Sequence, residues 1–172
     1  MKKLLMTVCL VFSSLTMFAE QGEMWAGANM NVGLNSNYVN FGFGAKFQYE
    51  AFKDLRGEVS FNYYLKKDYH TMWDANLNVH YLFHLGDVTI YPIVGGGLMD
   101  RTYEDTPLQV GDGVYEILSG DIFSDRYLGA NAGAGIEYPV NQWLKLNAEF
   151  KCQFVQHHDP RPVASVGIAF KL

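Results

Sequence analysis

The chain has 172 residues, with 13 Lys and Arg against 18 Asp and Glu and a formal net charge of −5. That length bounds it to about one domain. Its acidic balance argues against a nucleic-acid partner, which would want a basic face.

Residues 1–19, MKKLLMTVCLVFSSLTMFA, place Lys2 and Lys3 ahead of an apolar run over 4–18, with Ala19 at the end as a cleavage residue. The run is short for a transmembrane helix and is read as a secretory signal peptide. Cys9 follows Val8 rather than a small residue and sits too early for a lipoprotein cleavage site. Removal of 1–19 takes away two lysines and no acid, leaving one domain over 20–172 with 11 basic residues against 18 acidic. Cys152 is then the only cysteine left, so stability is expected from backbone pairing and packing rather than from an intramolecular disulfide.

From residue 24 onward the pattern is alternation of period two, with no stretch of helical character. It predicts strands at about 24–34, 38–49, 55–65, 72–85, 88–99, 127–138, 143–154 and 162–172. These segments approach ten residues, longer than the five or six usual in soluble sheets. The connections 50–54, 86–87 and 139–142 are tight, whereas 66–71, 100–126 and 156–161 are longer and polar; 34–37 departs from the rule. Eight strands, with short turns at one end and longer loops at the other, match an up-and-down membrane barrel with both termini on the short-turn side.

Which face looks inward follows from the side chains. One set carries Val39, Phe41, Phe43, Phe47 and Tyr49; Val59, Phe61, Tyr63 and Leu65; Trp73, Leu77, Val79, Tyr81, Phe83 and Leu85; Val166, Ile168, Phe170 and Leu172. The opposite set is small or polar: Gly42, Gly44, Lys46 and Gln48; Arg56, Glu58, Ser60 and Asn62; Asp74, Asn76, Asn78, His80 and His84; Gly129, Asn131, Gly133, Gly135 and Glu137. The interior of an eight-stranded barrel is only wide enough for ordinary side chains, so the ring-bearing set must face out. An apolar belt of that extent implies lipid rather than water. The glycines of 95–97 and 129–135 then fit close-packed inward positions. In this register Lys46, Arg56, Lys145 and Lys151 enter the lumen with Glu58, Asp74, Glu137 and Glu149, four charges of each sign. A balanced lumen points to paired structural charges, the alternative being a narrow gate that opens when pairs exchange.

NAGAGIEYPVNQWLKLNAEFKCQF resembles the glycine-rich strand, short turn and amphipathic strand of small eight-stranded outer-membrane barrels of the OmpA and OmpX type. TIYPIVGGGLM is similar to their central strand and RPVASVGIAFKL to their last, with Phe170 and Leu172 on one face. The resemblance implies an all-β, eight-stranded antiparallel transmembrane barrel with short periplasmic turns, longer extracellular loops and periplasmic termini. It implies recognition of the last strand by the barrel-assembly machinery, and a structural, adhesive or host-interacting role at the cell surface. It implies no cofactor. The enzymatic alternative within such barrels modifies the acyl chains of lipid A. No His-x-Ser pair occurs, and Asp68, His70 and Ser119 form a loop trio that any loops of this size would offer.

Two loops complete the reading. Residues 156–161 hold adjacent His157, His158 and Asp159, but neighbours on an extended chain point apart and a metal needs converging ligands, so a polar turn is expected. Residues 101–126 carry Glu104, Asp105, Asp112, Glu116, Asp121 and Asp125 against Arg101 and Arg126. They interleave these with Tyr103, Val110, Val114, Tyr115, Ile117, Leu118, Ile122 and Phe123, more apolar residues than a solvated tether needs. A protruding hairpin is expected there, with Tyr103, Glu104, Asp105, Tyr115, Glu116 and Phe123 meeting a partner, and with the acids favouring a basic protein or divalent cations bridging to lipopolysaccharide.

Overall fold

The computed structural model describes residues 22–35, 38–67, 70–103, 109–110, 114–115, 123–156 and 159–172. The proposed signal peptide lies outside the described residues. Eleven strands appear in chain order: β1 (Met24–Asn35), β2 (Tyr38–Phe52), β3 (Leu55–Lys67), β4 (His70–Tyr81), β5 (Phe83–Leu85), β6 (Val88–Tyr103), β7 (Gln109–Val110), β8 (Val114–Tyr115), β9 (Phe123–Asn141), β10 (Leu144–Val155) and β11 (Arg161–Lys171). The strands β4-β3-β2-β1-β11-β10-β9-β6 pair in that order, and β6 returns to β4, so eight walls close into one antiparallel barrel. The closing ladder runs from His70↔Tyr103 to His80↔Ile93. β5 continues the β4 wall against β6.

All eight expected strands are present, and their ends differ in ways that follow from local pairing. β3 reaches Lys67 and β4 begins at His70, so the connection read as 66–71 is only 68–69. The segment expected as 72–85 is interrupted at Leu82, whose amide donates to the Asp54 carbonyl at 2.8 Å and whose side chain turns in with 2 % exposure. His84, expected to face inward, instead lies at the rim with its side chain 54 % exposed, its Nε2 3.7 Å from Asp54. The strands on either side of the long loop extend to Tyr103 and from Phe123, because Asp100↔Arg126 and Arg101↔Asp125 set opposite charges across the ladder. The following turn, 86–87, uses Gly86 at φ 66°, a conformation that favours glycine in a tight hairpin.

Sidedness is as the alternation predicts. Phe41, Phe43, Val59, Phe61, Leu77, Val94, Phe150 and Val166 are exposed on the outer wall, each by half or more. Lys46, Arg56, Glu58, Asn62, Asp74 and Asn78 are buried in the lumen at 5 % or less. A soluble protein has the opposite arrangement, so the wall is built for hydrocarbon. The outward-ring rule has exceptions that the fold accommodates one by one. Tyr64 and Tyr91 turn inward, and each faces a glycine: a Cβ on Gly42 would meet the Tyr64 ring, and one on Gly135 would meet the Tyr91 ring. Two small apolar clusters result, Tyr64, Met72, Met99 and Val155 toward the loop end and Leu82, Tyr91 and Ile93 toward the turn end, with the polar lumen between them.

Val94 stands near the middle of the outer face of β6. Val94→Arg is expected to cost about 2–4 kcal/mol of folding free energy in phospholipid, read from urea titrations of the heat-modifiable band. An unchanged midpoint would contradict the lipid-facing assignment.

Candidate functional site

Among the described residues the lumen gathers every buried charge but Asp100, and these charges arrive from β2, β3, β4, β9, β10 and β11. All eight residues expected there are buried: Lys46, Arg56, Glu58, Asp74, Glu137, Lys145, Glu149 and Lys151. At the turn end, Arg56 Nη1 donates to Glu137 Oε2 at 2.7 Å and lies 3.6 Å from Glu50. Lys145 Nζ approaches the same two acids at 3.4 and 3.7 Å. Arg56 also lies over the Tyr91 ring at 4.6 Å, and Lys145 over Trp25 at 4.3 Å, so each cation has an aromatic face beside it as well as its acids.

In the middle, Lys46 bridges β2 to β10, donating to Glu149 Oε1 at 2.6 Å and to Asn147 at 2.7 Å. Tyr91 donates its hydroxyl to the same Glu149 oxygen at 2.9 Å. Glu58 accepts from Gln48 at 2.8 Å and lies 3.8 Å from Lys46. His80, stacked on Tyr91 with ring centres 4.8 Å apart, receives a hydrogen bond from Arg56 Nε at 3.3 Å.

Toward the loop end Asp74 is the hub. It accepts from Asn62 at 2.7 Å, from Asn76 at 2.5 Å and from Gln153 at 3.3 Å, and Arg161 stands 3.7 Å away. Arg161 donates to Gln153 at 3.1 Å and covers the Tyr64 ring at 4.1 Å. Its guanidinium occupies the space a side chain at Gly33 would need. Lys151 is the exception: it is buried, and no acid among the described residues pairs with it.

Three participants escaped the sequence reading. Glu50 was assigned to a turn, yet β2 runs on to Phe52; Arg161 was assigned to a loop, yet it opens β11. Tyr91 lies in a strand that is apolar on both faces, while Gln48, expected on the inward face, is buried there. Alternation carried one residue further in each strand would have found Glu50 and Arg161.

The acids of this network are paired, while Arg56 Nη2 and Arg161 Nη2 are buried with no hydrogen-bond partner among the described residues. Every buried acid named here has a cation within 4.0 Å, and the cavity at the Asp74 level, lined by Asn76, Gly97, Asn131 and Gln153, holds about 10 Å³, room for roughly one water rather than a substrate. Larger concavities of about 700 and 990 Å³ lie against the outer wall, among Phe43, Ile136, Leu146 and Val166, where acyl chains would fill them.

The loop candidates are only partly placed. Tyr103, Tyr115 and Phe123 are in β6, β8 and β9 by backbone, whereas Glu104, Asp105 and Glu116 lie outside the described residues. β7 and β8 pair Gln109↔Tyr115 and Val110↔Val114, a short ladder within the segment where a protruding hairpin is expected. Of the enzymatic trio, Asp68 and Ser119 lie outside the described residues and His70 is placed only by backbone in β4. His157 and His158 lie outside them too, Asp159 is exposed, and no cluster of three metal-ligating side chains occurs among the described residues.

No protein-family model and no curated sequence matches the chain. Solved structures do. Neisserial surface protein A is 17% identical over 88% of this chain and 97% of its own, with a TM-score of 0.66. Ail, the attachment invasion locus protein of Yersinia pestis, is 14% identical over 88% and 99%, with a TM-score of 0.60 in its complex with the heparin analogue sucrose octasulfate. The N-terminal β-barrel domain of Pseudomonas aeruginosa OprF is 17% identical over 88% and 100%, with a TM-score of 0.59. These are small outer-membrane barrels, the architecture that the sequence resemblance implies; at such identities the likeness is one of fold.

Because the Lys46–Glu149 pair is desolvated, Lys46→Met alone should lose about 3–5 kcal/mol of stability, while Lys46→Met with Glu149→Leu should recover most of it. Additive losses in that cycle, measured by urea unfolding in detergent, would show that the two charges do not act as a pair.

Proposed function

We propose that the protein is a non-enzymatic outer-membrane surface barrel that works through its loop end. The observation that carries this reading is the lumen: each of its buried acids has a cation beside it, and an apolar cluster lies at each end. A conduit would leave a hydrated path, and an enzyme of lipid acyl chains would expose a nucleophile and base at the outer wall. What the barrel offers in this reading is a stand for residues 101–126.

In this reading residues 1–19 direct export, the barrel-assembly machinery receives the chain through β11, and both termini are periplasmic. The outer leaflet surrounds the loop end, where lipopolysaccharide is the first partner met. Attachment, which the name of Ail records, is a role of the same kind. The ligand differs in charge: six acids against two arginines in 101–126 suit a basic protein surface or a divalent cation shared with lipopolysaccharide, rather than a sulfated sugar.

An epitope inserted at 112 should be stained on intact cells, and one appended after Leu172 only after permeabilisation. Deletion of 104–122 should leave a heat-modifiable barrel in the outer membrane. Planar bilayers containing the purified protein should show no stable open channel; a steady conductance would favour the gated-pore alternative, and acyl gain or loss on labelled lipid A would favour the enzyme.

A further inference from the structure

On the outer wall toward the loop end, one row of side chains interrupts the apolar belt. Trp73 of β4, Asp100 of β6 and Arg126 of β9 face one another across two ladders. Asp100 shares a face with Val94 and Leu98 by alternation, yet it is only 4 % exposed. It accepts from Arg126 Nε at 3.0 Å and from the Thr102 hydroxyl at 3.5 Å. The Arg126 side chain is 71 % exposed, so a buried acid holds a guanidinium that stays open to its surroundings.

Beneath this row the wall is apolar and hollow. The next row toward the turn end, about 6–7 Å along the strands, sets Ala75, Leu98 and Leu128 side by side, and the one after it holds Leu77 and Gly96. These residues line a groove of about 520 Å³ on the outer wall. Gly96 makes its floor, where an added Cβ would meet only the Gly129 carbonyl, at 3.3 Å. The guanidinium fork matches a phosphate in charge and in geometry, and a groove between leucines matches a hydrocarbon chain. A cation directly above an acyl slot is the outline of one phosphorylated lipid. Trp73, stacked on Phe61 at 5.7 Å, stands at the same height, where indole rings settle between headgroup and chain.

We propose that Arg126 and the groove below it hold lipid A, with a phosphate on the guanidinium and an acyl chain laid over Gly96. The proposal rests on the surface reading above, which places the outer leaflet at the loop end, and it names a site on the wall rather than on the loop. Asp100 is the positioning residue: by taking Nε it leaves the two Nη groups to form the fork. The contact is direct, so it needs none of the divalent cations through which the acids of 101–126 would meet the same lipid.

The full chain, folded in detergent, is titrated with bisphosphorylated lipid A in the presence of EDTA, and bound lipid is read by native mass spectrometry. Arg126→Gln should weaken binding at least about tenfold, and removing the phosphates from the lipid should do the same to the unaltered protein. Gly96→Leu, which fills the groove and leaves the arginine in place, should weaken binding at least about fivefold. Should that variant fail to give a heat-modifiable barrel, Ala75→Leu carries the same comparison. Lys53→Gln removes one positive charge at the opposite end of the barrel and should change affinity by less than about twofold. Binding indifferent to Arg126→Gln, or to both groove fillings, overturns the proposal. Phosphatidylglycerol bound as tightly and lost with the same variants would assign the site to a different lipid and overturn it too. An epitope at 112 hidden on intact cells would remove the surface reading, and with it the leaflet; a stained epitope with no Arg126-dependent binding would remove the site alone.

Discussion

Hydrocarbon supplies no hydrogen bonds, and that deficit governs the rest of this structure. A sheet can cross it only if the first and last strands pair, so that no backbone group is left facing lipid. Here β1 and β11 meet from Trp25↔Lys171 to Gly33↔Val163, and the β4–β6 ladder completes the ring on the far side. Closure at eight strands fixes a narrow interior, and everything that enters must fit as well as pair. The lumen is therefore a packing problem solved with polar side chains.

The solution is visible where large groups meet small ones. Arg161 lies where Gly33 leaves room, Tyr64 where Gly42 does, and Tyr91 where Gly135 does. A ring or guanidinium on one strand and a glycine on the facing strand together make about one ordinary layer. Buried ions gain little net stability in such a setting, because desolvation opposes their attraction. Their value here is registration: Lys46 of β2 reaches Glu149 of β10, and Arg56 of β3 reaches Glu137 of β9, so each pair ties opposite walls at one height. A strand slipped by one residue would put these charges into lipid.

The same arithmetic explains what could be read from the sequence. Alternation of period two needs no tertiary knowledge, so the eight walls, their sidedness and the eight inward charges were legible from residues alone. Strand ends were not, because they depend on neighbours. Glu50 and Arg161 look like turn residues until the partners Arg56 and Gln153 are seen beside them. Leu82 carries no signal of its own; the phase break there comes from its bond to Asp54, 28 residues away in the chain. Tyr91 was obscured for another reason. In a strand reading TIYPIVGGGLM both faces are apolar, and only Gly135 across the ladder shows which side has room for a phenol.

Unequal strands carry the last step. β9 has 19 residues and its neighbour β10 has 12, so the β9 wall must project where the two part company. Within the membrane any such mismatch would be forbidden, since the surplus would present bare amides to lipid. Outside it, water satisfies them and the projection is tolerated. The sequence marks that transition: Leu128 is the last large apolar residue on the outer face of β9, and Arg126, paired to Asp100 at 3.0 Å, is the next residue on that face. The change from leucine to an ion pair is where the outer face of β9 passes from apolar to charged, and a strand wall that continues past its neighbour is tolerated only beyond such a change.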